Sequence, residues 1–192
     1  MAGRINLKQL AQSGATNGQV PAWVAASSTW VPATISGGGG YSSGVRQIVS
    51  AFVTGVSSTT TVLPQTSSIP TNTQGAQFAT CSITPQSATS SILVLASIQA
   101  STSNINTVGA ALFRDSTTNA FSAAAMACLT GTTSLFVFLS GVVSSGSTAA
   151  STFKLRAGPA GAGTLTVNGY SGTNQVFGAA SNTGIILIEY GA

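Results

Sequence analysis

The chain has 192 residues, enough for one medium domain or a domain with a short appendage. Only 4% of residues are charged and 43% are hydrophobic, so Ser, Thr, Gly, Ala and Asn fill the gap, which excludes highly charged disorder. The net charge of +4 comes from the scattered Arg4, Lys8, Arg46, Arg114, Lys154 and Arg156, which form no stripe of the kind that binds nucleic acid.

The mean hydropathy is +0.39. No run reaches the ~20 apolar residues of a spanning helix. The longest candidate, 135–143, is broken by Ser140 and Gly141, so no membrane insertion is expected. The opening MAGRINLKQLAQ lacks an apolar signal core. The expectation is a chain made and kept in a cytoplasm until it is released by other means.

In chain order, residues 5–13 read as a short helix capped by Asn6 and ended by Gly14, with Leu7, Leu10 and Ala11 on one stripe. So short a helix must dock on a sister chain or a larger assembly. Residues 14–35 contain an echo, in which Val20-Pro21-Ala22-Trp23 is answered by Trp30-Val31-Pro32-Ala33. The prolines favour edge strands. Trp23 and Trp30 are read as packing on each other, with a sugar-binding platform as the alternative. The run of four glycines at 37–40 marks a linker. The expected organisation is therefore an anchoring segment at 1–35, a linker at 36–44 and a head at 45–192.

Within the head, strands are predicted near 45–54, 59–63, 75–83, 91–100, 107–114, 119–129, 133–143, 149–157, 163–168, 174–179 and 183–190. Small and β-branched residues between frequent turns give an all-β fold, a jelly-roll-like β-sandwich. The central stretch is 80–100. There Ile92, Val94, Ala96 and Ile98 share one face and Leu93 and Leu95 the other, so burial on both sides is expected. Phe153, Leu155 and Ala157 alternate with Lys154 and Arg156, which predicts one buried and one wet face. Second apolar faces recur at Phe136 and Phe138, and at Ile186 and Ile188. They imply a second buried surface, most simply supplied by copies of the chain.

The residues of catalysis are sparse. There is no His, and Asp115 and Glu189 are the only acids. A His triad is impossible, and a paired-carboxylate mechanism would need these two acids together. Asp115 reads as a turn residue and Glu189 as a strand residue. No catalytic residue, metal site or cofactor is assigned, and an enzyme is not expected. Cys81 and Cys128 read as buried thiols, and pairing is open only if their strands are neighbours. An exposed tip carrying aromatic and amide groups is expected at 168–174, with Asn168, Tyr170 and Asn174 as contact residues for a host cell-surface glycan or protein. The alternative there is an ordinary Asn-Gly hairpin turn.

Three stretches carry a family resemblance. Gly14-Ala15-Thr16, Gly18-Gln19-Val20 and Trp23, followed by Thr29-Trp30-Val31-Pro32-Ala33, form a GATxGQVxxW…TWVPA module similar to one in tailed-bacteriophage fibre and tail-associated proteins. Ile83-Thr84-Pro85 with its polar turn, and the ending from Thr183 to Tyr190, resemble the C-terminal β-domain of such proteins. The resemblance implies a virion structural protein, a homotrimeric tail fibre with a receptor-binding head, assembled in the host bacterial cytoplasm. It also implies attachment to other virion proteins through 1–35, with Leu7, Leu10, Trp23 and Trp30 as the attaching residues. The alternative is an architectural capsid-decoration, head-fibre or collar protein.

Overall fold

The computed structural model describes residues 19–24, 26–34, 44–129, 133–170 and 172–191. The chain divides into two compact units, Met1–Ser42 and Ser43–Ala192. In the first, β1 (Gln19–Val24) and β2 (Thr29–Thr34) form an antiparallel hairpin. Its register sets Trp23 opposite Trp30 and Pro21 opposite Pro32, so the sequence echo is the two arms of one hairpin. Both arms of a two-stranded ribbon are edges, which is where proline is tolerated. The helix expected at 5–13, with Leu7 and Leu10, lies outside the described residues.

The second unit runs through β3 (Val45–Val53), β4 (Ser57–Thr59), β5 (Ala76–Ile83), β6 (Ser91–Thr102), β7 (Asn106–Arg114), β8 (Ser122–Cys128) and β9 (Leu135–Ser144). It continues with β10 (Ser151–Pro159), β11 (Leu165–Val167), β12 (Gly169–Tyr170), β13 (Asn174–Gln175) and β14 (Thr183–Tyr190). One sheet has the order β5-β10-β7-β8. In the other, β3-β14-β6 is extended by β9 on the far edge of β6 and by β11 and β4 beyond the end of β14. The long strands pair as nested couples: β3 with β14, β5 with β10, β6 with β9 and β7 with β8. That nesting is one long antiparallel hairpin wound into two sheets, the jelly-roll arrangement expected from the sequence.

Period-two patterning places the core between the sheets. Ile92, Val94 and Ile98 of β6, Ile185 and Leu187 of β14, and Val137 and Leu139 of β9 face Cys81, Phe153, Leu155, Val108 and Leu112 of the opposing sheet. Each fully buried aliphatic side chain of this kind contributes about 1.5–3 kcal/mol. Strand β10 alternates buried Phe153, Leu155 and Ala157 with half-buried Lys154 and Arg156, as its pattern predicts.

Two predicted strands differ. Instead of a strand over 59–63, β4 ends at Thr59, and Leu63 packs against the outer face of β7 with Ala111 and Phe113. Gly158 permits this crossing, because a Cβ there would lie 2.8 Å from the Leu63 nitrogen. Instead of a strand over 174–179, β13 stops at Gln175 and a left-handed turn follows, with φ of 52° at Phe177 and 55° at Gly178.

Candidate functional site

Registry across β3, β14, β6 and β9 builds a continuous apolar outer face. Ile48, Ile188, Leu93 and Val142 form one row across the four strands. Ser50, Ile186, Leu95 and Ser140 form the next, and Phe52, Gly184, Ser97 and Phe138 a third. Gly184 and Ser97 lack bulk, so the Phe52 and Phe138 rings stand at the ends of their row above a low floor. With Leu95 and Ile186 they line a hollow of about 360 Å³. A Cβ on Gly184 would collide with the Phe52 ring and the Ala51 carbonyl, so only glycine leaves room for that ring at the end of the row. No charged residue occupies these rows.

Burial on both sides, expected for β6, therefore does not occur within one chain. Its inner face is buried, while Leu95 is 37% exposed and Leu93 half-buried. Phe138 is 71% exposed and Ile48 62%. The reason is geometric: a two-layer sandwich covers only one face of each sheet. Phe136 and Phe138 stack with centroids 5.9 Å apart, which widens the apolar strip along β9.

The polar chemistry gathers in a connected hydrogen-bond network. Glu189 is fully buried on β14. Its carboxylate accepts from the Gln86 and Ser87 amides at 2.9 and 3.2 Å, from Ser90 Oγ at 2.6 Å and from Gln47 Nε2 at 2.6 Å. Burial by itself pushes this carboxyl up, but the hydrogen bonds from Ser90, Gln47, Gln86 and Ser87 more than offset that and hold it at about 2. Ser90 Oγ also lies 2.6 Å from Ser145 Oγ. Arg114 donates to the Ser144 and Ser145 carbonyls and to Ser151 Oγ, and sits 3.4 Å from Asp115. Asp115, with φ of 52°, accepts from the Thr152 amide at 2.7 Å. Both acids are thus committed to holding turns against strands.

Of the residues singled out at the tip, Asn168 is fully buried rather than exposed. Its Nδ2 donates to the Val53 and Gly55 carbonyls at 2.8 and 3.2 Å, and its Oδ1 accepts from the Thr183 hydroxyl at 2.9 Å. It is a structural post, and its φ of 57° is a left-handed conformation that asparagine tolerates. Nor is Asn168-Gly169 a hairpin tip. Gly169 and Tyr170 already pair with Gln175 and Asn174 as strand residues. Tyr170 and Asn174 are exposed on that hairpin. Phe177, which the sequence reading places inside a strand, is 80% exposed on its left-handed turn.

Cys81 and Cys128 are both buried, on strands at opposite edges of one sheet with β10 and β7 between them. Two intervening strands put the backbones at least about 14 Å apart, beyond the reach of a disulfide. Burial pushes the Cys81 thiol up. Native protein is expected to react slowly with a thiol reagent and to titrate two thiols once unfolded; a single intact-mass species 2 Da light, as a closed intrachain disulfide would give, would contradict this assignment.

No curated protein matches the chain. Residues 63–191, from the crossing segment through β14, match the family described as the Pgp3 C-terminal domain. This overturns the tailed-phage resemblance, and with it the fibre, capsid-decoration and collar roles and the virion location. The virion as the anchor point for residues 1–35 falls with them. In this structure the Ile83-Thr84-Pro85 run leads into the turn whose Gln86, Ser87 and Ser90 donors hold Glu189 of the last strand, so both motifs have a role within the fold, and a fold does not fix its bearer's function. The GATxGQVxxW…TWVPA module lies in the other unit, outside the matched residues. With two thirds of its length matched, the chain belongs to the Pgp3 C-terminal domain family.

Proposed function

We propose that residues 44–191 are a non-enzymatic assembly head that joins copies of the chain through the outer face of β3, β14, β6 and β9. The observation that carries this reading is the apolar surface continuous over four strands, with no charged residue in its three rows. Contiguous exposed apolar area of this kind marks an interaction site, because leaving it in water invites non-specific association. With a charged fraction of 4%, little repulsion keeps copies apart. Closed symmetry then covers every copy equally. The absence of His and the structural use of both acids support a role in assembly over one in catalysis.

Native mass spectrometry and light scattering test this. The whole chain is expected to run as a discrete closed oligomer, with the homotrimer as the state proposed. Phe138→Asp places a charge on the exposed face, outside the core, and is expected to weaken association at least about 100-fold with the β-type circular dichroism retained. A wild-type chain that stays monomeric at micromolar concentration overturns the reading.

A further inference from the structure

We propose that Phe177 of one copy seats in the hollow between Phe52 and Phe138 of the next, so that the assembly contact is a head-to-tail knob and groove. This rests on the assembly reading and names its contact.

The knob is unusual in its backbone. A bulky residue rarely adopts positive φ, yet Phe177 sits at 52° beside Gly178 at 55°. The residue is covered little by its own chain, being 80% exposed. The support beneath it is nevertheless fixed. Gln175 Nε2 donates to the Thr54 carbonyl at 2.9 Å, the Val176 amide to the Asn168 carbonyl at 3.3 Å, and the Ala180 amide to the Phe177 carbonyl at 3.0 Å. Asn168 is in turn bolted to Val53, Gly55 and Thr183. The fold therefore holds an apolar ring outward on a well-bonded mount. Strain maintained without an internal return is the pattern of a contact completed by a partner.

The groove fits such a ring. Its volume of about 360 Å³ accommodates a benzyl group, with two phenylalanine walls for edge or offset ring contacts and a floor of Ser97 and Gly184. Electrostatics favour a second copy as the occupant. No charged residue occurs anywhere from Ala157 to Ile188, and none lines the hollow, so like copies approach without repulsion. Each chain carries one knob and one groove, which makes the contact heterologous. Such contacts close into a ring when the rotation between neighbours allows it.

Complementation between variants tests the proposal on the full chain. Phe177→Gly deletes the ring and suits the left-handed backbone, so the fold is preserved. Ser97→Trp fills the groove from the exposed face. Each variant alone is expected to lose self-association at least about 30-fold, the lower range for an interface anchor. Mixed, they retain one intact knob and one intact groove and are expected to form a 1:1 pair and nothing larger. Phe177→Tyr keeps a ring and is expected to keep the oligomer. If the wild type assembles and Phe177→Gly assembles equally well, the knob is overturned while the assembly head stands. Failure of the two single variants to pair when mixed also overturns it. A monomeric wild type overturns the assembly head itself, and the knob with it.

Discussion

Replacing Glu189 with Gln is expected to remove about 2–4 kcal/mol of stability and to flatten the acid limb of the stability profile. The carboxylate accepts from two backbone amides, a hydroxyl and a side-chain amide at zero exposure. An isosteric amide keeps one acceptor and turns an NH2 donor toward groups that are themselves donors, leaving buried polar atoms unpaired. The pH dependence follows in sign. The folded carboxyl sits at about 2, against an ordinary value of 4.5. Between those values the unfolded chain binds the proton and the folded chain does not, so stability rises with pH across that window. The contribution is complete above about pH 5 and is lost as pH falls toward 2; it amounts to up to about 3 kcal/mol. The chain has only two acidic side chains, so this limb reports Glu189 with little background. Urea midpoints measured from pH 2 to 7 should fall on acidification for the wild type and change much less for Glu189→Gln. Parallel profiles would show that the carboxylate does not drive the dependence.

How far the fold was legible depended on which residues face water. Strand β10 alternates because one side packs on the core and the other carries Lys154 and Arg156, and such alternation can be read directly. The sandwich was legible from the same signal repeated between turns. The strand predicted at 59–63 shows the limit. Leu63 looks like a strand residue, but its partners are Ala111 and Phe113, and its path is set by the missing Cβ of Gly158, nearly a hundred residues later. Only tertiary proximity reveals that.

The candidate site was half legible. That β6, β9 and β14 each have a second apolar face is visible as local composition. That these faces lie on one side of one sheet, row against row, depends on strand order and register. Asn168 misled because Asn-Gly marks left-handed backbone as well as hairpins, and here it marks a buried kink. Glu189 read as an ordinary strand residue, since the donors that surround it come from 47 and from 86–90. Phe177 gave no signal beyond the glycine that follows it. An aromatic in left-handed backbone is disfavoured locally, and local preference is all that a short window of sequence can weigh.

The largest loss is expected from Phe153→Ala, at about 3–5 kcal/mol. Phe153 is fully buried on the inner face of β10, in the middle of its sheet. Its ring meets Phe121 edge-on, with centroids 6.0 Å apart at 86°, and the Arg114 guanidinium carbon lies 5.8 Å from its centre. Phe121 in turn sits so close to Gly141 of β9 that a Cβ there would lie 2.9 Å from the ring. Phe153 is therefore a packing link between the two sheets and a seat for the arginine that ties Ser144, Ser145 and Ser151 together. Truncation leaves a cavity that rigid β strands on both sides cannot close, so the transfer loss and the cavity cost add. A domain with a total stability of about 5–15 kcal/mol loses a large share of it. The urea midpoint should fall by about 2 M and the melting temperature by about 10 °C, at matched protein concentration. Phe153→Leu keeps most of the volume and should cost under about 1.5 kcal/mol. A loss below about 1 kcal/mol for the alanine variant would mean that Phe121 and its neighbours collapse into the space, and that the sheets do not depend on this ring.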